Sequence, residues 1–327
     1  MARRSVAAAL CALTLLVAAA GSGIDSAGAV NAPAGGTVVD VTAPATVDAP
    51  AGRLAFANQR YRAQVFPGVT VTSNLQYGTA NDLIVGLPVG LLLDLYRPTG
   101  DTNTSRPLLV WVHGGGFAYG NRGDMSNESR AYARLGYVTA TISYRLDYGN
   151  KCLQVQAGAF TGAELVAERA RCERAILAAR DDAATAIAWL RAHAAAYGID
   201  PTRVAIGGSS AGAITAIHVG QTLNVPGSPA PASSQVSAVL AMSGCNYIEN
   251  SIDAFDAPVA IAASGGDGLV PYACSQATVN AAAASGTPIL RNFYELENGH
   301  AQGLYYAHQA EIDRAWRAFL IEHLALV

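Results

Sequence analysis

Short apolar, β-prone runs recur along this chain with helix-forming stretches between them, and that alternation limits what it can fold into. The runs lie at residues 91–96, 108–112, 137–142, 204–207, 239–242, 259–263 and 289–294. Strand-length runs separated by helical lengths predict an α/β fold, with a mostly parallel central sheet and helices on both faces. The clearest helices are expected at 181–197 and 311–324. In the second, Ile312, Trp316, Phe319, Leu320 and Leu324 fall at helical spacing and make one apolar stripe, so these aromatics belong to a core rather than to a cofactor site. Of the 327 residues 51% are hydrophobic and 14% charged, which excludes a disordered chain and suits one large buried core.

The chain is expected to begin with a cleaved export leader, residues 1–29. Arg3 and Arg4 make its basic start, an apolar stretch runs from Val6 to Ala20, and Ala27-Gly28-Ala29 offers small residues for cleavage. About fifteen apolar residues fall short of the ~20 that cross a bilayer, so no stable membrane anchor is expected. Residues 30–52, rich in Ala, Pro, Gly, Val and Thr without period, read as a flexible linker. A single domain then fills 53–327, with an inserted segment at about 147–180 that is long for a strand-to-helix connection. The formal net charge of −3 supplies no field to gather nucleic acid or anionic lipid, and a small neutral substrate fits better.

Four cysteines follow the leader: Cys152, Cys172, Cys245 and Cys274. In an exported chain an even number suggests two disulfides; three connectivities are possible, and pairing sequence neighbours is the simplest. None of them has the close C-x-x-C spacing of a zinc knuckle, and no metal is expected.

The strongest local signal is Gly208-Ser209-Ser210-Ala211-Gly212, directly after the run at 204–207 and before a helical stretch at 213–223. This is a G-x-S-x-G nucleophile elbow in its required strand–turn–helix context, with Ser210 at the centre and glycines where side chains would collide. A dinucleotide-binding loop is the rival, but the spacing is not G-x-G-x-x-G and the turn does not open the sheet. A dehydrogenase Tyr-x-x-x-Lys pair is also missing, since the lone lysine is Lys151 and Asp147 stands four residues before it. Upstream, the run at 108–112 leads into His113-Gly114-Gly115-Gly116-Phe117. Consecutive glycines let backbone N–H groups approach a developing negative oxygen without Cβ obstruction. No Gly-Lys-Ser/Thr follows to make a phosphate loop.

With both motifs in this order, the chain over roughly 85–325 resembles the carboxylesterase and hormone-sensitive-lipase branch of the α/β-hydrolase superfamily, whose HGGG loop precedes the serine elbow. The resemblance implies the α/β-hydrolase fold and an oxyanion hole made by Gly115, Gly116 and Ala211, with His113 tethering the loop. It also implies the chain order nucleophile, acid, histidine. Of the later histidines, His218 and His323 fall within expected helices, whereas His300 follows the run at 289–294 in a loop before the last helix, where the family keeps its base. His308 is the alternative. Asp267 stands just past the run at 259–263 in an Asp-x-x-Val-Pro sequence that the family shows here; Glu297 is the alternative acid, while Asp253 and Asp256 precede that run. The elbow carries Ser209 where many relatives have Asp or Glu.

These residues imply a secreted serine esterase that needs no cofactor and works by acyl transfer through Ser210, His300 and Asp267. Polysaccharide acetyl or feruloyl esters, polyesters, or a catalytically inactive binding module on the same scaffold are the alternatives. The resemblance also places the strands before Cys245 and Cys274 side by side, so a bridge there would brace the acid loop.

Overall fold

The computed structural model describes residues 38–41, 59–223, 232–247 and 252–326. The expected leader at 1–29 and most of the linker at 30–52 lie outside them. The described residues build a nine-stranded sheet in the order β1-β2-β3-β5-β4-β6-β7-β8-β9. Its strands are β1 (Val38–Val41), β2 (Val69–Asn81), β3 (Pro88–Pro98), β4 (Arg106–Val112), β5 (Val138–Ile142), β6 (Ile199–Ser209), β7 (Ala238–Met242), β8 (Val259–Ser264) and β9 (Ile289–Tyr294). From β5 to β9 all neighbours are parallel, while β1, β2 and β3 add on antiparallel. All seven expected runs are strands. The additional strand β2 has an irregular register around Asn74, and β1 occupies four residues of the range read as a linker.

Alternation along β4 shows how the sheet is buried. Leu108, Val110 and Val112 face a core closed by helices α3 (Gly162–Ala192), α5 (Ala211–Thr222) and α6 (Tyr272–Ser285). Leu109 and Trp111 face the opposite core, where α1 (Ser126–Ala133), α7 (Ala301–Ala307) and α8 (Gln309–His323) contribute Tyr132, Tyr305 and Trp316. A strand covered on both sides reads as a continuous apolar run, which is why LLVWV was visible as one.

The expected helix at 181–197 is different in the structure. α3 starts at Gly162, nineteen residues earlier, and stops at Ala192; a short helix α4 (Ala194–Tyr197) follows the break at His193. Residues 162–180 are rich in Ala, Glu and Arg, which favour helix, but the side they bury is small: Cys172, Ala175 and Ala179. With α2 (Cys152–Gln156), this first half of α3 makes up most of the segment expected as an insertion. A disulfide joins Cys152 to Cys172, with Cα atoms 5.2 Å apart. Arg171 pairs with Asp147, and Arg145 with buried Asp182, fastening α3 to the chain leaving β5.

After β5 the chain crosses β4 to form β6 on its far side. Chain segments leaving β4 and β6 therefore diverge at the carboxyl end of the sheet, where an open α/β sheet forms its ligand crevice.

Candidate active site

Ser210 sits in that crevice, between the last residue of β6 and the first of α5, with φ 54° and ψ −119°. This conformation is costly for a non-glycine residue. Its N–H donates to Met242 O on β7 (2.8 Å), and its carbonyl accepts from Ile214 N–H (3.0 Å). The flanking glycines have distinct reasons. A Cβ on Gly208 would overlap the backbone of Gly212, as expected for a tight turn, whereas one on Gly212 would overlap the carbonyl of Val112 at the end of β4. The second glycine thus lets the turn pack against the neighbouring strand.

The loop after β4 lies against this turn. Gly115 has φ 105°, and a Cβ there would overlap the carbonyl of Tyr119; that carbonyl turn is tightened further by Ala118 N–H donating to Gly115 O (3.0 Å). Gly116 has φ 59° and faces Leu153 of α2, whose Cγ would be 3.4 Å from an added Cβ. Among the described residues the N–H groups of Gly115, Gly116 and Ala211 donate to no protein acceptor. His113 is fully buried, stacks on Tyr144 with centroids 4.3 Å apart and contacts Gly114 O through Nδ1 at 2.7 Å. An oxygen acceptor fixes Nδ1 as the protonated nitrogen. Burial lowers the pKa of His113, against the opposing contact with Gly114 O. Tyr144 Oη donates to His113 O (3.0 Å). This histidine holds the loop and does not line the cleft.

Asp267 and His300 meet after β8 and β9. His300 Nδ1 lies 2.9 and 2.8 Å from the two carboxylate oxygens. The Asp267 side chain is 1% exposed, that of His300 24%. Oδ1 of Asp267 also accepts from Leu269 N–H (2.9 Å) and Val270 N–H (3.0 Å). Burial pushes the Asp267 carboxyl up, but the bond from His300 and the two amides outweigh it, leaving the pKa below the ordinary carboxylate value. With Nδ1–H given to Asp267, Nε2 carries the lone pair a base requires. The alternatives pair with one another instead: His308 Nε2 is 2.7 Å from Glu297 Oε2. His218 lies in α5, where burial brings its pKa down to about 3, and His323 packs on Phe319 in α8.

Two serines absent from the sequence reading hold the histidine loop. Ser264 Oγ donates to Gly299 O (2.5 Å) and Ser243 Oγ accepts from Ala301 N–H (2.8 Å), so each side of His300 is tied to the end of a strand. The second disulfide joins Cys245 to Cys274, Cα atoms 5.6 Å apart, fastening the start of α6 beyond Asp267 to the chain leaving β7. Ser210, His300, Gly115, Gly116 and Leu153 all line one cleft of about 390 Å³.

The sheet, its switch point and this elbow recur in solved structures. Thermogutta terrifontis esterase 2 phosphoramylated by tabun superposes with TM-score 0.59, covering 77% of this chain and 94% of that one at 20% identity. The chain is an α/β hydrolase by fold. Residues 165–257 match a family model described as alpha/beta hydrolase fold, and 93–154 match the BD-FAE model. The first span holds Ser210 and the second the glycine loop. Curated relatives of this α/β hydrolase include Lipase 2 of Geotrichum candidum, 30% identical over 39% of this chain and 21% of that protein. Carboxylesterase 3B of Mus musculus is 31% identical over 42% of this chain and 22% of that protein. Phenmedipham hydrolase of Pseudarthrobacter oxydans is 33% identical over 40% and 23%. The aligned part spans about a fifth of the length of these relatives.

Proposed function

We propose that this α/β hydrolase is a serine esterase that cleaves carboxylic esters through Ser210, His300 and Asp267. The observation that carries the reading is the Asp267–His300 pair opening onto the same cleft as Ser210 and a loop of unbonded glycine amides. Ser210 Oγ attacks the ester carbonyl while His300 Nε2 takes its proton, and Asp267 keeps the ring in the required tautomer and supports its charge. The carbonyl π electrons move onto oxygen, where the N–H groups of Gly115, Gly116 and Ala211 stabilise the negative charge; one such donor is worth ~3 kcal/mol. The C–O bond to the alcohol breaks as His300 returns the proton to it. Water then attacks the acyl-enzyme with His300 again as base, releasing the acid and restoring Ser210.

The same reading makes the chain a secreted protein, with a leader at 1–29, a linker at 30–52 and one catalytic domain at 53–327 whose inserted segment supplies Leu153 to the cleft. Two disulfides support an oxidising destination, and among the described residues no helix is long and apolar enough to cross a membrane. Hydrolysis of p-nitrophenyl acetate tests the enzymatic claim. Ser210→Ala should lower kcat by ~10⁴-fold or more with little change in Tm; retained activity in Ser210→Ala with loss in Ser209→Ala would move the nucleophile.

A further inference from the structure

Two residues beyond His300, Gln302 lines the cleft in an orientation that its neighbours dictate. Nε2 of Gln302 donates to Asp124 O (3.1 Å) and to Glu128 Oε1 (2.8 Å). Both partners are acceptors, so the amide nitrogen must face them and both its hydrogens are used. Glu128 is 1% exposed and is itself held by Tyr306 Oη, which donates to the same Oε1 (2.6 Å). A buried carboxylate thus clamps the amide. Oε1 of Gln302 is left bonded to no protein group, and it is not among the buried unpartnered atoms, so solvent or a ligand can reach it. Asp124 lines the same wall, with Oδ2 accepting from Asn121 N–H (2.9 Å). No lysine or arginine lines this cleft. The wall therefore offers acceptors and asks its ligand for donors.

We propose that Gln302 Oε1, assisted by the Asp124 carboxylate, is a subsite for hydroxyl groups on the alcohol half of the substrate, so that the preferred substrates are O-acyl esters of polyols such as partly acylated sugars. The inference rests on the ester-hydrolase reading above. In that mechanism His300 protonates the leaving alcohol, so the alcohol half departs on the side of His300 and the first turn of α7, where Gln302 stands. A second hydroxyl on that half can donate to Oε1, whereas a simple alkanol leaves the acceptor unpaired once water is displaced. An anionic leaving group would meet Asp124 and be disfavoured. Gln302 is a specificity-determining residue here, and Glu128 a positioning residue acting through it.

The test compares kcat/KM for methyl 6-O-acetyl-glucopyranoside and for cyclohexylmethyl acetate, which has a similar six-membered ring without hydroxyls. The wild-type protein should prefer the glycoside ester about tenfold, and Gln302→Met should reduce the ratio of the two kcat/KM values about fivefold or more. Equal rates for the two esters in the wild type would overturn the subsite, whether or not the variant folds. So would an unchanged ratio in a folded Gln302→Met protein, or a preference for choline acetate over the glycoside ester. Hydrolysis of p-nitrophenyl acetate without any glycoside preference would remove this inference and leave the ester reading standing. Inertness toward all of these esters would remove both.

Discussion

Ser264, the last residue of β8, donates through its hydroxyl to the carbonyl of Gly299, the residue before His300. The strand that delivers Asp267 thereby also positions the loop that delivers its partner. Ser264→Ala would leave the Gly299 carbonyl without its donor in a buried setting, at a cost of roughly 1–3 kcal/mol. We expect a lower Tm and a kcat reduced about tenfold with KM little changed, because the loop positions the base rather than the bound ester. A loss confined to KM would contradict that role.

Gly212 and Gly303 make a matched pair. Alanine at Gly212 would place its Cβ against the Val112 carbonyl, while alanine at Gly303, in helix α7, meets nothing within 4 Å. Gly212→Ala should therefore fail to give a stable folded protein. Gly303→Ala should be stabilising by up to ~1 kcal/mol, as for glycine replaced in a helix interior. Thermal melts of the two variants decide this; similar Tm values would refute the packing argument.

The Cys152–Cys172 bridge closes a loop across a sequence separation of 20. Removing it by Cys152→Ser with Cys172→Ser should cost up to ~3 kcal/mol. Because α2 carries Leu153 to within contact of Gly116, KM should rise more than kcat falls. Unaltered kinetics in the double variant would show that α2 keeps its place without the bridge.

Burial raises the Asp256 carboxyl to about 7, with Asp253 N–H opposing and the Asp253 charge adding to the rise. The ordinary unfolded value is ~3.9, so the native state holds the proton more tightly between these values. Its contribution to stability is complete below about pH 4 and is lost as pH rises to about 7. Asp256→Asn should raise Tm by a few degrees at pH 8 and hardly at pH 4. Melts across that range check it, and an equal effect at both ends would contradict the titration.

The sequence exposed the strands buried on both faces, because runs such as LLVWV leave little choice, and the motif residues, because their spacing is local. β2 was not apparent. Its alternation is broken by register shifts on either side of Leu75 and by Asn74 at φ 62°. The first half of α3 was equally hidden, since alanines and a cysteine bury its face without an apolar stripe. At the site, Asp267 and His300 stood out through resemblance and chain order. Ser243, Ser264 and the Glu128–Gln302 pair had no such signal: their partners lie 35 to 174 residues away and only the sheet brings them together.

Asp267→Asn should lower kcat by roughly 10³ to 10⁴ while preserving the fold, because the amide cannot hold the His300 tautomer that accepts a proton. The pH–rate profile should lose its acid limb only if His300 is not the base. Activity of the wild type that stays constant down to pH 5, with chemistry limiting, would contradict a histidine base.

The central claim is that Ser210 is an activated nucleophile, and covalent labelling tests it most directly. The folded protein should react with a fluorophosphonate to gain one adduct, with the modified peptide carrying it on Ser210; His300→Ala should slow labelling by orders of magnitude. A native protein that takes no label, or one that carries it on Ser209, would contradict the account.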